Sequence, residues 1–139
     1  MLLESERLGP IEVDEANMVE LPAGLLGFES TSRFALVPAD EVGAYSWLHS
    51  VEDPGLAFLT VVPAFFFPEY APDVPDDDVA ALDLTDPADA QVYCLVTISG
   101  DEVTANLLGP VVVNVVNRTA RQVVLVDQGW STREKLVSA

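Results

Sequence analysis

Gln91-Val92-Tyr93-Cys94-Leu95-Val96-Thr97-Ile98-Ser99 is the stretch that decides the fold. Successive side chains of a strand point to opposite faces. Val92, Cys94, Val96 and Ile98 therefore share one face, and Tyr93, Leu95 and Thr97 the other. Both faces read as covered. Ser99-Gly100-Asp101-Glu102 is a short polar connection with a glycine, and a second β-rich run, 103–108, follows it. The two runs read as a hairpin.

The same pattern extends outward. Downstream, 111–116 follows Gly109-Pro110, and 120–126 follows Asn117-Arg118-Thr119, a second hairpin candidate. Upstream, 8–14 alternates Ile11 and Val13 with Glu12 and Asp14. Further short runs lie at 34–37, stopped by Pro38, at 45–51, and at 56–62, stopped by Pro63. One stretch reads as helix. Pro75 stands at the first helical position, Asp76, Asp77 and Asp78 suit the positive end of the helix dipole, and Asp86-Pro87 ends it. Val79, Leu82 and Leu84 would face the core. Many short strands with turn residues between them predict a mainly β fold, a small antiparallel barrel or sandwich-like single domain with one short helix. The domain is expected over residues 1–130, with 131–139 as a frayed C-terminal tail.

The 139 residues carry 23 acidic and 6 basic side chains, a formal charge of −17. Six cations cannot neutralise a phosphate backbone, so direct nucleic-acid binding is excluded, as is docking on an anionic membrane. The charge favours a basic protein partner. The longest apolar stretch, 56–68, contains Pro63 and falls far short of the roughly 20 residues a bilayer span needs. Residues 1–7 lack the basic and apolar regions of a signal peptide. One cysteine, Cys94, cannot form an internal disulfide, which fits a reducing compartment. A cytoplasmic location is expected.

No catalytic set emerges. His49 is the single histidine, with Ser46, Ser50, Glu52 and Asp53 nearby. Residues of a catalytic relay meet in space rather than along one strand, and Ser50 points away from the His49 side. His49 reads as a strand histidine at the surface or barrel rim. Cys94 has apolar neighbours where a nucleophile needs an electropositive setting, so it reads as core. The aspartates from Asp73 to Asp89 lack the glycine and distal glutamate of a calcium loop and read as solvated helix-start residues. No metal or cofactor is expected. The loop 21–28 has glycines but no phosphate-cradling pattern, and its apolar residues are expected to plug one end of the fold. Phe65-Phe66-Phe67-Pro68-Glu69-Tyr70 is different. Three successive aromatics cannot all enter one core from an extended segment, so the run reads either as a protein-contact surface or as a structural segment in which Phe66 alone faces out or the following helix covers both faces.

Three blocks in order resemble one family. They are Leu21-Pro22-Ala23-Gly24-Leu25-Leu26-Gly27-Phe28-Glu29; Tyr45-Ser46-Trp47-Leu48-His49-Ser50-Val51-Glu52-Asp53-Pro54-Gly55-Leu56-Ala57-Phe58 running on to Phe65–Tyr70; and Ala105-Asn106-Leu107-Leu108-Gly109-Pro110-Val111-Val112-Val113-Asn114, continued through Asn117-Arg118 to Gln122-Val123-Val124-Leu125. Together they span nearly the whole chain and resemble the flagellar assembly factor FliW. Leu21 stands where that family usually has phenylalanine, Val62 where an aspartate is common, and 129–139 lacks its His-Pro ending.

The resemblance implies a non-enzymatic regulator on a small β-barrel. Such proteins bind CsrA, a basic RNA-binding repressor of flagellin translation, and antagonise it allosterically. They also bind flagellin, which sequesters them until it is secreted. The alternative is a chaperone that binds flagellin only. The expected contact surface comprises Glu52 and Asp53, then Phe66, Phe67, Glu69 and Tyr70, and then Asp73, Asp76, Asp77 and Asp78. The competing reading of Glu52-Asp53-Pro54 is a turn in which Asp53 bonds its own backbone.

Overall fold

The computed structural model describes residues 1–136. Its strands are β1 (Leu2–Ser5), β2 (Gly9–Glu12), β3 (Met18–Glu20), β4 (Arg33–Pro38), β5 (Tyr45–Ser50), β6 (Ala57–Val61), β7 (Ala90–Ser99), β8 (Glu102–Ala105), β9 (Val111–Asn114), β10 (Thr119–Gln122) and β11 (Glu134–Lys135). One α-helix, α1 (Asp76–Ala81), lies in the β6–β7 connection, with 3-10 turns at Pro63–Phe65 and Pro87–Asp89. Pro75 is the N-cap of α1, so the helix starts at Asp76, one residue later than the sequence suggests, and the three aspartates fill its first turn.

The ten-residue β7 closes the fold. Ala90–Tyr93 pair with β9, Cys94 and Leu95 with β6, and Val96–Ser99 with β8. Strands β7-β6-β5-β4-β3-β10-β9 return to β7 and form a seven-stranded closed barrel. A ring whose strands alternate in direction needs an even number of them. Seven therefore force one parallel junction, which is the single contact of β10 with β3 at Thr119 and Glu20. The expected β7–β8 hairpin has a two-residue turn, with Ser99 opposite Glu102. Gly100 takes φ +60° there, a conformation that favours glycine.

The two faces of β7 enter two different cores. Tyr93 and Leu95 point into the barrel and meet Leu21, Leu25, Phe34, Leu36, Leu48, Val111 and Val113. Val92, Cys94 and Val96 point outward into two outer clusters, one built on Val61, Ala105 and Leu107, the other on Leu82, Val112, Val123 and Leu125. Ile98, at the far end of the hairpin, is exposed. The loop after β3 plugs the barrel with Leu21 and Leu25, as expected, while Leu26 and Phe28 remain exposed. Gly24 turns this loop at φ +68°, and a Cβ there would meet Glu29 Cα at 2.6 Å.

Three elements depart from the sequence reading. The β1–β2 hairpin packs Leu3, Ile11 and Val13 over the outside of the barrel at Ala35, Met18 and Val37. His49, expected at the surface or rim, is fully buried beneath that hairpin. The expected tail is not frayed up to residue 136, because β11 pairs with β8 and Leu107 N–H donates to Ser131 O at 2.9 Å. Residues 137–139 lie outside the described residues. No helix among the described residues is long and apolar enough to cross a membrane.

Candidate partner interface

Pro63 shapes the aromatic segment. It ends β6, starts a 3-10 turn, and its carbonyl accepts the Phe66 and Phe67 N–H groups. The compact turn splays the three rings. Phe65 is 57% exposed, while Phe66 and Phe67 are half-buried against the cluster of Val61, Cys94 and Leu107. Phe66 sits edge-on to Tyr45 at 5.5 Å. The exposed ring is thus Phe65, which lies outside the expected contact set of Phe66 and Phe67. An extended register hides this, because in a 3-10 turn orientation follows a period near three rather than two.

Tyr70 anchors the segment. Its hydroxyl donates to Leu107 O at 2.7 Å, and its ring meets Trp130 edge-on at 4.6 Å. Burial pushes its hydroxyl pKa well above the usual tyrosine range, and the Cys94 thiol beside it adds to that. Burial likewise pushes Cys94 up to about 12, countered in part by the bond to Tyr70. Tyr70 is therefore a structural pin as much as a contact residue. Phe66, Phe67, Tyr70, Leu107 and Trp130 line a cleft of about 370 Å³, with Glu69 and Glu134 at its edge.

The aspartates divide by role. Asp73, Asp76 and Asp77 are exposed, as is Glu69. Asp78 is mostly covered and accepts from Arg121 Nε at 2.8 Å, which ties α1 to β10. Asp73 joins its backbone to the Gln128 side chain through two hydrogen bonds, of 2.8 and 3.0 Å. Among the described residues, no group of three or more His, Cys, Asp or Glu is arranged to hold a metal ion.

Glu52 and Asp53 do not join this face. They occupy the β5–β6 turn, at the end of β6 opposite Pro63, and the five-residue strand separates the two by roughly 15 Å. Their backbone N–H groups both donate to Ser50 Oγ, and Asp53 Oδ1 accepts Gly55 N–H at 2.9 Å, which is the self-bonded turn. His49 is closed off from any substrate. Its Nδ1 lies 2.8 Å from Ser50 O, its Nε2 2.7 Å from Ser5 Oγ, and the ring is wholly covered.

The comparisons with known proteins agree with this architecture. The family model described as "FliW protein" matches residues 2–136. The flagellar assembly factor FliW of Moorella thermoacetica is 37% identical, with 98% of this chain and 88% of the relative covered. That of Treponema pallidum is 39% identical, with 99% and 93% covered. A crystal structure of the flagellar assembly factor FliW superposes with a TM-score of 0.89 at 30% identity, covering 99% of this chain and 98% of the other. Matched along nearly its whole length in sequence and in fold, the chain belongs to the FliW family.

Proposed function

We propose that this protein is a non-enzymatic, cytoplasmic regulator of flagellar assembly. It binds the basic RNA-binding repressor CsrA, antagonises it allosterically, and so relieves repression of flagellin mRNA. Flagellin in turn sequesters it until secretion removes the flagellin. The observation that carries this reading is a family member of charge −17 whose exposed Phe65 and exposed acids Glu69, Asp73, Asp76 and Asp77 occupy one connection, between β6 and β7.

A strongly acidic surface meeting a basic protein associates fast, at a rate that falls as salt rises. Allosteric antagonism requires tighter binding to RNA-free CsrA than to its RNA complex, with a reciprocal coupling typically of about 1–3 kcal/mol. The test is calorimetric titration with CsrA from the same organism at two salt concentrations. Binding that weakens with salt supports the reading. No binding by folded, RNA-competent CsrA overturns it and leaves the flagellin-only chaperone, with flagellin as the next titrant.

A further inference from the structure

β7 has an open edge. Strand residues alternate, with one sending its N–H and C=O to one neighbour and the next to the other. Val115 N–H bonds Asp89 O, and Asn106 N–H bonds Leu95 O. The odd-numbered residues of β7 therefore face β9 and β8, while Ala90, Val92 and Cys94 face β6. Val61 pairs with Cys94, and the residue that would face Val92 next is Pro63. Proline has no N–H to give, and the Pro63 carbonyl is already taken by Phe66 and Phe67. Among the described residues, Val92 N–H has no backbone acceptor. Among these same residues, Val92 O meets only the Gln91 side-chain amide at 3.4 Å, and Ala90 O meets no donor.

The space beside this edge is a groove. Two adjoining clefts, of about 450 and 470 Å³, share Pro72, Ala90 and Val92. Pro63 and Phe67 wall one of them, and Val79 and Leu84 the other. Their charged lining residues are Asp73 and Asp86, with no Lys or Arg among them. An apolar floor, acidic walls and unpaired strand groups are the parts of a strand-addition site: backbone bonds give affinity, and pockets for alternate side chains give selectivity.

We propose that this groove receives an extended segment of a partner protein, apolar at alternate positions and flanked by Lys or Arg, which adds as a short antiparallel strand to β7 at Ala90–Val92. Charge complementarity sets the chemistry of the flanks, and the missing continuation of β6 sets the register. The site does not depend on which partner the family reading supplies.

The test uses the acetylated, amidated heptapeptide Lys-Thr-Val-Thr-Val-Thr-Lys and the ¹⁵N-labelled full chain. The expected result is saturable binding in which exchange of the Val92 amide hydrogen slows at least about tenfold. The same peptide with N-methylated valines keeps its charge but loses strand donors, and its binding is expected to weaken by more than about tenfold. Asp73→Lys combined with Asp86→Asn, which keeps the Asp86 capping acceptor, is expected to weaken the parent peptide. Three results overturn the proposal: no binding at millimolar peptide, binding with an unchanged Val92 amide, or equal binding of the N-methylated peptide. The last two would mark a charge-driven association elsewhere on the surface.

Discussion

Ser5 Oγ donates to His49 Nε2 at 2.7 Å and joins the outer hairpin to the barrel wall. The direction of this bond follows from the other nitrogen. Nδ1 faces Ser50 O at 2.8 Å, and a carbonyl only accepts, so Nδ1 carries the proton and Nε2 is the acceptor. Ser5 Oγ also accepts Leu8 N–H at 3.0 Å, and Glu6 N–H donates to Pro54 O at 2.9 Å. The Arg7 guanidinium lies 5.2 Å over the Trp47 ring. Ser5→Ala removes the donor and leaves a buried imidazole nitrogen unsatisfied, a cost of about 1–3 kcal/mol. The expected outcome is a melting temperature several degrees lower, with amides of residues 2–13 exchanging faster while those of β7 keep their protection. Unchanged exchange in β1 and β2 would show that apolar packing alone holds the hairpin.

Cys94 makes stability sensitive to high pH. Its folded pKa of about 12 stands above the ordinary 9.0, because burial disfavours the thiolate. A raised folded pKa means that the native state holds its proton while the unfolded chain loses it. The stabilisation is complete below about pH 9 and is lost as pH rises towards 12, by up to about 1.4 kcal/mol per pH unit. Burial raises Tyr70 in the same direction and adds to the loss above pH 10. Urea midpoints at pH 8, 9.5 and 10.5 should fall along the series. Cys94→Ala should lower all three through the cavity it leaves, and flatten the slope. The thiol should also resist aromatic disulfide reagents at pH 8 until the chain is unfolded.

The acidic run should separate into binding and folding charges. Asp78 is covered and paired with Arg121, so Asp78→Asn is expected to cost up to about 1 kcal/mol, the range of partly exposed ion pairs. Asp76→Asn and Asp77→Asn alter exposed carboxylates whose folding role is the helix-dipole interaction of the first turn, and each should lower the melting temperature by no more than about 3 °C. The pair of exposed changes should instead slow association with a basic partner at low salt and make the rate less salt-dependent. Stopped-flow association beside thermal melts reads both effects. A rate unchanged by the exposed pair would place the encounter on another face.

Much of this was legible where local chemistry and long-range packing agree. The alternation in β7 and the glycine at position 100 specify a hairpin without outside help, and the structure has it. The short strands β1, β3 and β11 carry two to four residues each, too few for a period to register. They exist because other segments offer them partners: β2 for β1, β4 and β10 for β3, and β8 for β11. The burial of His49 is hidden from the sequence for the same reason: its cover comes from Ser5, 44 residues away along the chain. The expected contact set mixed two ends of β6, because sequence adjacency around the β5–β6 turn says nothing about which end of a strand a residue reaches. The exposure of Phe65 is not legible in the sequence, because the run reads as extended where Pro63 imposes a 3-10 turn.

Trp130 ties the C-terminal segment to the aromatic face, and this makes the segment's contribution measurable. Its ring packs edge-on against Tyr70 and bridges the two outer clusters, and next to it Ser131 O accepts the Leu107 and Leu108 N–H groups. Tyr70→Phe keeps the ring contact but leaves Leu107 O without its donor at 2.7 Å, a loss of about 1–2 kcal/mol. Trp130→Ala removes the ring itself and should cost about 3–5 kcal/mol, at the level of a large aromatic truncation, reduced in proportion to the part already exposed. Tryptophan fluorescence separates the two variants. Tyr70→Phe should retain the native emission maximum below a lowered melting temperature. Trp130→Ala should report Trp47 alone and loosen the amides of Glu134 and Lys135. If Trp130→Ala left β11 protected, the strand would be held by its two-residue pairing with β8, and the aromatic clip would be incidental to it.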